Sequence, residues 1–231
     1  MIQVKGITKN YGKNKGIYNL SLECQNGEVI SLIGPNGAGK TTSLKGIAGL
    51  LKLEKGCVLL DNNDTLLPET KRNIGFLPEK SAFDGNMTGY EMIEMINVLK
   101  FRQYNGTEED VIQKMLQDFD LWDSRHSKLK NYSVGMRKKI GIIIALLHFP
   151  KLIILDEPTN AIDTKGIITL KAYIEEAKEK GCIIIVSSHV LDFLSSISTK
   201  NVFLKHGKVE RIVEKSKEVN LEEVYKELYL A

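Results

Sequence analysis

The chain has 231 residues, 32 of them basic and 29 acidic, giving a net charge of +3. With 42% hydrophobic and 26% charged residues it has the make-up of a globular protein long enough to bury a sizeable core, which excludes long disordered stretches. The balanced charge supplies no basic excess to neutralise nucleic-acid phosphate, and three scattered cysteines, Cys24, Cys57 and Cys182, exclude a disulfide framework or a paired metal motif and suit a reducing compartment.

Taken in chain order, residues 1–6 lack the basic and apolar regions of a signal peptide, so no export is expected. Leu20, Leu22 and Cys24 alternate with Ser21 and Glu23 before Asn26-Gly27 and the apolar run Val29–Ile33, a pattern that predicts a hairpin. Residues 40–51 then read as a helix, and 56–60 and 74–77 as short strands. From Glu79 to His148 the pattern turns helical, with Val111, Ile112, Met115, Leu116 and Phe119 at helical spacing, and Thr88 to Glu91 forms a capping box. A helical subdomain over 79–148, inserted into one domain spanning 1–231, is expected. The most apolar stretch, 140–155, is interrupted by His148, Pro150 and Lys151, so it lacks the roughly 20 apolar residues of a membrane span. Residues 149–231 complete the core: a strand at 152–155, a helix ended by Gly181, a strand from Cys182 to Val186, a hairpin at His206-Gly207 and an amphipathic helix over 221–230. Alternating strands and helices predict an α/β fold with a mainly parallel sheet.

Chemistry concentrates first in Gly34-Pro35-Asn36-Gly37-Ala38-Gly39-Lys40-Thr41, followed by Thr42. Small residues let backbone N–H groups of Asn36, Gly37, Ala38 and Gly39 converge on phosphate, and the helix that follows adds its positive end. Lys40 then reaches the β- and γ-phosphates, and the Thr41 hydroxyl coordinates Mg2+. Leu152-Ile153-Ile154-Leu155-Asp156-Glu157 ends a buried strand in two carboxylates, which an apolar setting tolerates only with a partner. Mg2+ is such a partner for Asp156, leaving Glu157 to polarise the attacking water. These two motifs point to a nucleoside-triphosphatase binding and hydrolysing ATP, with no further class.

Three more segments carry a resemblance: Asn131-Tyr132-Ser133-Val134-Gly135-Met136-Arg137-Lys138, Thr159-Asn160-Ala161-Ile162-Asp163 and Ser187-Ser188-His189. In this order they resemble the ATPase subunit of an ATP-binding cassette (ABC) transporter across essentially the whole chain. The resemblance implies a P-loop core with an N-terminal antiparallel β subdomain and an inserted helical subdomain. It implies that Tyr11 stacks on adenine, that His189 contacts the γ-phosphate and holds water with Glu157, and that Asp163 lies in a dimer-contacting loop. Ser133 and Gly135 would act in trans, completing the ATP site of a second ABC ATPase subunit. Read without the family, Ser133 is a helix cap, Tyr11 a surface tyrosine and His189 a polar residue at a strand end.

The usual glutamine between core and helical subdomain is replaced by Glu79, a carboxylate able to bind Mg2+ but adding negative charge near phosphate. The signature with Tyr132, Val134 and Met136 resembles those of bacterial drug, peptide and antibiotic exporters. The implied partners are separate transmembrane permease subunits, received between Glu79 and Tyr90 with Phe83 and Met87, which would hold the chain on the cytoplasmic face of the membrane. No nucleic-acid partner is expected, although a soluble non-transport ABC ATPase acting on nucleic acid or ribosomes is the alternative.

Overall fold

The computed structural model describes residues 1–12, 15–80, 82–101, 107–216 and 219–230. Strands β1 (Ile2–Asn10) and β2 (Gly16–Cys24) are buried on one face only, and they pair antiparallel with Ile2 opposite Cys24 and Val4 opposite Leu22. Strand β3 (Val29–Ile33) is buried at every residue. The expected hairpin across Asn26-Gly27 therefore does not form: β2 and β3 belong to different sheets. A strand sealed on both faces needs neighbours of the same kind, whereas β2 has a solvent face, so the chain crosses between layers at this turn.

Helix α1 (Lys40–Ile47) stops earlier than the periodicity suggests. Gly49 and Leu50 donate backbone N–H groups to the carbonyls of Gly46 and Lys45, closing the helix in a Schellman pattern. Strand β4 (Lys55–Leu60) returns beside β1, followed by β5 (Asn63–Asp64), the short helix α2 (Pro68–Lys71) and β6 (Ile74–Leu77). Helices α3 (Gly89–Phe101), α4 (Thr107–Asp118) and α5 (Val134–Leu146) come between β6 and its neighbour β7 (Leu152–Asp156). The capping box forms: Thr88 donates its N–H to Glu91 Oε2 at 2.8 Å, and Glu91 donates its own to Thr88 Oγ1 at 3.2 Å. The chain continues through α6 (Thr164–Glu179), β8 (Ile183–Ser187), α7 (Leu191–Ile197), the hairpin β9 (Lys200–Lys205) and β10 (Lys208–Glu214), and α8 (Leu221–Tyr229).

Two sheets result among the described residues. One is antiparallel in the order β2-β1-β4-β5; the other runs β10-β9-β3-β8-β7-β6, parallel except for the edge strand β10. Alternate residues of the central strands feed two cores. Ile154 and Ile185 face the antiparallel sheet and α1, while Leu155 and Val186 face the other helices. All four are fully buried, so truncating one to alanine costs about 2–5 kcal/mol. This layering holds the carboxyl ends of β3, β7 and β8 side by side, where open parallel sheets place their ligand sites.

Candidate nucleotide site

At those strand ends lies a cleft of about 1030 Å³ lined by Tyr11, Lys15, Gly16, residues 34–42, Glu79, Asp156, Glu157, Asn160, His189 and Tyr225. The loop between β3 and α1 forms its floor. The Lys40 ammonium donates to the Gly34 carbonyl at 2.7 Å and lies 3.3 Å from that of Pro35, which fixes its side chain across the start of the loop. Gly39 precedes the helix with φ at 104°, a conformation L side chains rarely adopt, so the backbone amides curl around an anion-sized concavity.

The register of β7 on β8 sets Asp156 beside Ser187. Asp156 is fully buried; its Oδ1 accepts from Ser187 Oγ at 2.6 Å, and its Oδ2 has no hydrogen-bond partner among the described residues. A buried carboxylate oxygen left unpaired is costly, and a cation is the partner that removes the cost. Among the described residues no three His, Cys, Asp or Glu side chains gather into a metal-binding group. Mg2+ needs none, because it takes one or two protein oxygens and completes its octahedron with phosphate and water. Asp156, with Thr41 in the same cleft, fits that donor set.

Glu157 follows with φ at 49°, a strained conformation for a non-glycine residue. Its N–H is held by Ser187 through both the carbonyl and Oγ, each at 3.1 Å. This turns the carboxylate toward His189, whose Nδ1 lies 2.9 Å from Glu157 Oε2 and whose backbone N–H donates to the same oxygen at 3.3 Å. The Glu157 side chain is only 12% exposed, whereas that of His189 is 66% exposed. A carboxylate with one polar partner at the mouth of an anion-binding loop can accept a proton from water, and the imidazole can orient that water or a phosphate.

Two of these supports were not singled out from the sequence. Ser187 emerges only from strand register, which aligns it with Asp156. Lys138 lies on α5 as the helix enters the core, 5% exposed, and its ammonium donates to the carbonyls of Pro78, Glu79 and Asp156 at 3.3, 3.1 and 3.1 Å. Burial holds its pKa below the usual lysine range, with the nearby charges of Asp156, Glu157 and Glu79 opposing the shift. A lysine beside the apolar run 140–147 was the legible signal. Lys15, Asn160 and Tyr225 also line the cleft without having been picked out.

Tyr11, residues 36–42, Glu79, Asp156, Glu157 and His189 thus share one cleft; Ser133, Gly135 and Asp163 lie outside it. Ser133 caps α5, its Oγ accepting the Met136 N–H at 3.1 Å. A β-carbon at Gly135 would collide with the Ala161 carbonyl, so packing within this chain already requires glycine there. Asp163 caps α6 through the Gly166 N–H at 3.0 Å and pairs with Lys139 at 3.0 Å. The hydrogen bond from Lys139 holds its carboxyl below the usual range, with burial opposing the shift and the Gly166 amide adding to it.

A family model described as ABC transporter matches residues 17–160, more than half of the chain and including the phosphate loop, Asp156 and Glu157. The chain belongs to the ABC transporter family. The lantibiotic transport ATP-binding protein SrtF of Streptococcus pyogenes is 32% identical over 225 residues, covering 97% of this chain and 96% of that protein. The bacitracin transport ATP-binding protein BcrA of Enterococcus faecalis is 31% identical over 98% of this chain and 71% of its own length. Among solved structures, an ATP-binding subunit of an ABC transporter superposes with a TM-score of 0.91 at 27% identity, covering 99% of both chains. The dimeric cassette MJ0796 bound to ADP and Pi gives 0.84 at 28% identity, over 93% of this chain and 98% of that one. The chain is therefore an ABC-type ATPase that binds and hydrolyses nucleotide. Among its described residues no helix is long and apolar enough to cross a membrane.

Proposed function

We propose that this cassette drives export of a peptide or antibiotic-like cargo by closing as a pair of ATPase subunits on ATP and reopening after hydrolysis. The carrying observation is the Glu157–His189 contact of 2.9 Å at the mouth of the phosphate-loop cleft. In this reading Tyr11 stacks on adenine, the amides of residues 36–39 and the Lys40 ammonium bind the phosphates, and Thr41 with Thr42 lines their approach to the helix. Thr41 and Asp156, together with Glu79, would hold Mg2+, which when bound would supply positive charge to offset that developing on the phosphate oxygens. Glu157 accepts the proton of the attacking water, and His189 aligns that water with the γ-phosphate. Ser133 and Gly135 of one copy close over the nucleotide of the other, with Asp163 bordering that contact. The cargo class follows from the lantibiotic and bacitracin transport relatives, which also favour a transporter over the non-transport alternative.

The membrane connection falls to the segment 79–90 at the start of the helical insertion over 79–148, which would place the chain peripherally at the cytoplasmic face of the membrane. Phe83 and Met87 are half-buried there against the core and retain exposed surface; Ser81 lies outside the described residues. Replacing both with glutamate should strip the cassette of a copurifying membrane protein, measured by affinity capture, while ATP binding stays within about twofold of wild type, since neither residue lines the nucleotide cleft. Capture that survives the double substitution with ATP binding intact would refute the docking assignment.

A further inference from the structure

The C-terminal helix α8 has no part in the roles above, yet it supplies a wall of the nucleotide cleft. Its anchors run to the strand ends from which the phosphate loop springs. Tyr229 Oη donates to the Leu204 carbonyl at 2.9 Å and lies 3.5 Å from that of Ile33; Lys205 donates to the Leu228 carbonyl at 2.8 Å; Arg211 and Glu227 share two hydrogen bonds of 2.8 Å. Ile33 immediately precedes Gly34, and a β-carbon at residue 34 would collide with the Leu204 carbonyl. The first residue of the loop is therefore pressed onto the same strand end that Tyr229 grips.

Tyr225 lies one helical turn before Tyr229 on the same side of α8, with the ring centroids 4.6 Å apart. Tyr225 is half-buried and lines the same cleft as Gly34, Pro35 and Asn36. Tyr229 uses its hydroxyl to hold the strand ends, whereas that of Tyr225 makes no hydrogen bond among the described residues. The two ends of the loop are distinguishable. Gly39, at its close, packs against the Gly16 carbonyl of the hairpin that carries Tyr11, while the Lys40 ammonium lies over Gly34 and Pro35 at its start. A phosphate-loop lysine serves the β- and γ-phosphates, so the strand end that Tyr229 grips, next to Gly34, belongs to the terminal-phosphate end of the loop.

We propose that Tyr225 is a nucleotide-binding residue whose hydroxyl donates a hydrogen bond to the γ-phosphate of ATP, making the C-terminal helix a detector of the third phosphate. This rests on the nucleotide assignment of the cleft. A hydrogen bond to a charged group contributes enough to change affinity by roughly tenfold. The test is calorimetric titration of the full chain and its Tyr225→Phe variant with a non-hydrolysable ATP analogue and with ADP. Phenylalanine keeps the ring that packs on Tyr229, so the expected result is a Kd for the ATP analogue raised about tenfold, with that for ADP within about twofold. Equal shifts for both nucleotides, or no shift in either, would overturn the role of Tyr225. A wild-type chain that binds neither nucleotide would instead overturn the reading on which it rests.

Discussion

The phosphate-loop cleft and the Ser133 segment are built on opposite principles. Around the loop, side chains are assembled from distant strands and left with unmet chemistry: Asp156 keeps a buried, unpartnered oxygen, and Glu157 is held in a strained backbone conformation. Around Ser133 the local needs are met within the chain: the hydroxyl caps its own helix, Gly135 fits beneath Ala161, and Asp163 has both an amide and Lys139. A residue whose local needs are satisfied gives no sign of a distant partner. A residue placed at structural cost inside a cleft does, because strained backbone and unpaired buried groups gather at functional sites.

That contrast can be broken by mutation. Glu157→Gln removes the base but not the cradle, so steady-state hydrolysis should fall by about 100-fold or more while ATP affinity changes little. Full turnover by this variant would remove Glu157 from the chemistry. Ser133→Ala should lose the cap, worth about 1 kcal/mol in a denaturation curve, and also much of the hydrolysis if Ser133 serves a second copy. Mixing Ser133→Ala with Glu157→Gln chains discriminates the two arrangements. A site completed in trans pairs the intact Glu157 of one variant with the intact Ser133 of the other, so activity returns on mixing; a site completed within one chain leaves the mixture inactive.

The smallest effect is expected at Asp163. Its folded pKa is depressed, so it binds fewer protons in the folded than in the unfolded state near that value; its contribution is present above the ordinary carboxylate pKa and lost as pH falls through the folded one. Asp163→Asn should therefore lower stability modestly at pH 7, by less than about 1 kcal/mol because the side chain is 59% exposed. The gap to wild type should close in acid, as followed by urea denaturation. A gap independent of pH would show that the cap alone matters.

The sequence by itself determined the loop, the carboxylate pair and the order of strands and helices, because each is encoded in consecutive residues: glycines at fixed spacing, a fully apolar strand, a turn or cap signal. It could likewise place Thr88 and Glu91 in one capping box, since a cap is a contact over three residues. Only the tertiary structure decided that Asn26-Gly27 crosses between sheets instead of folding a hairpin, because pairing depends on which faces of a strand are covered, and a local run carries no record of its neighbours. The same holds for Ser187 under Asp156, Lys138 binding the Glu79 loop to the end of β7, and Tyr225 lining the cleft of the phosphate loop. These contacts join residues separated by 31, 59 and 18 positions in the first two cases, and by most of the chain in the third. Such distances are closed by the stacking of parallel strands and by burial, neither of which any single segment specifies.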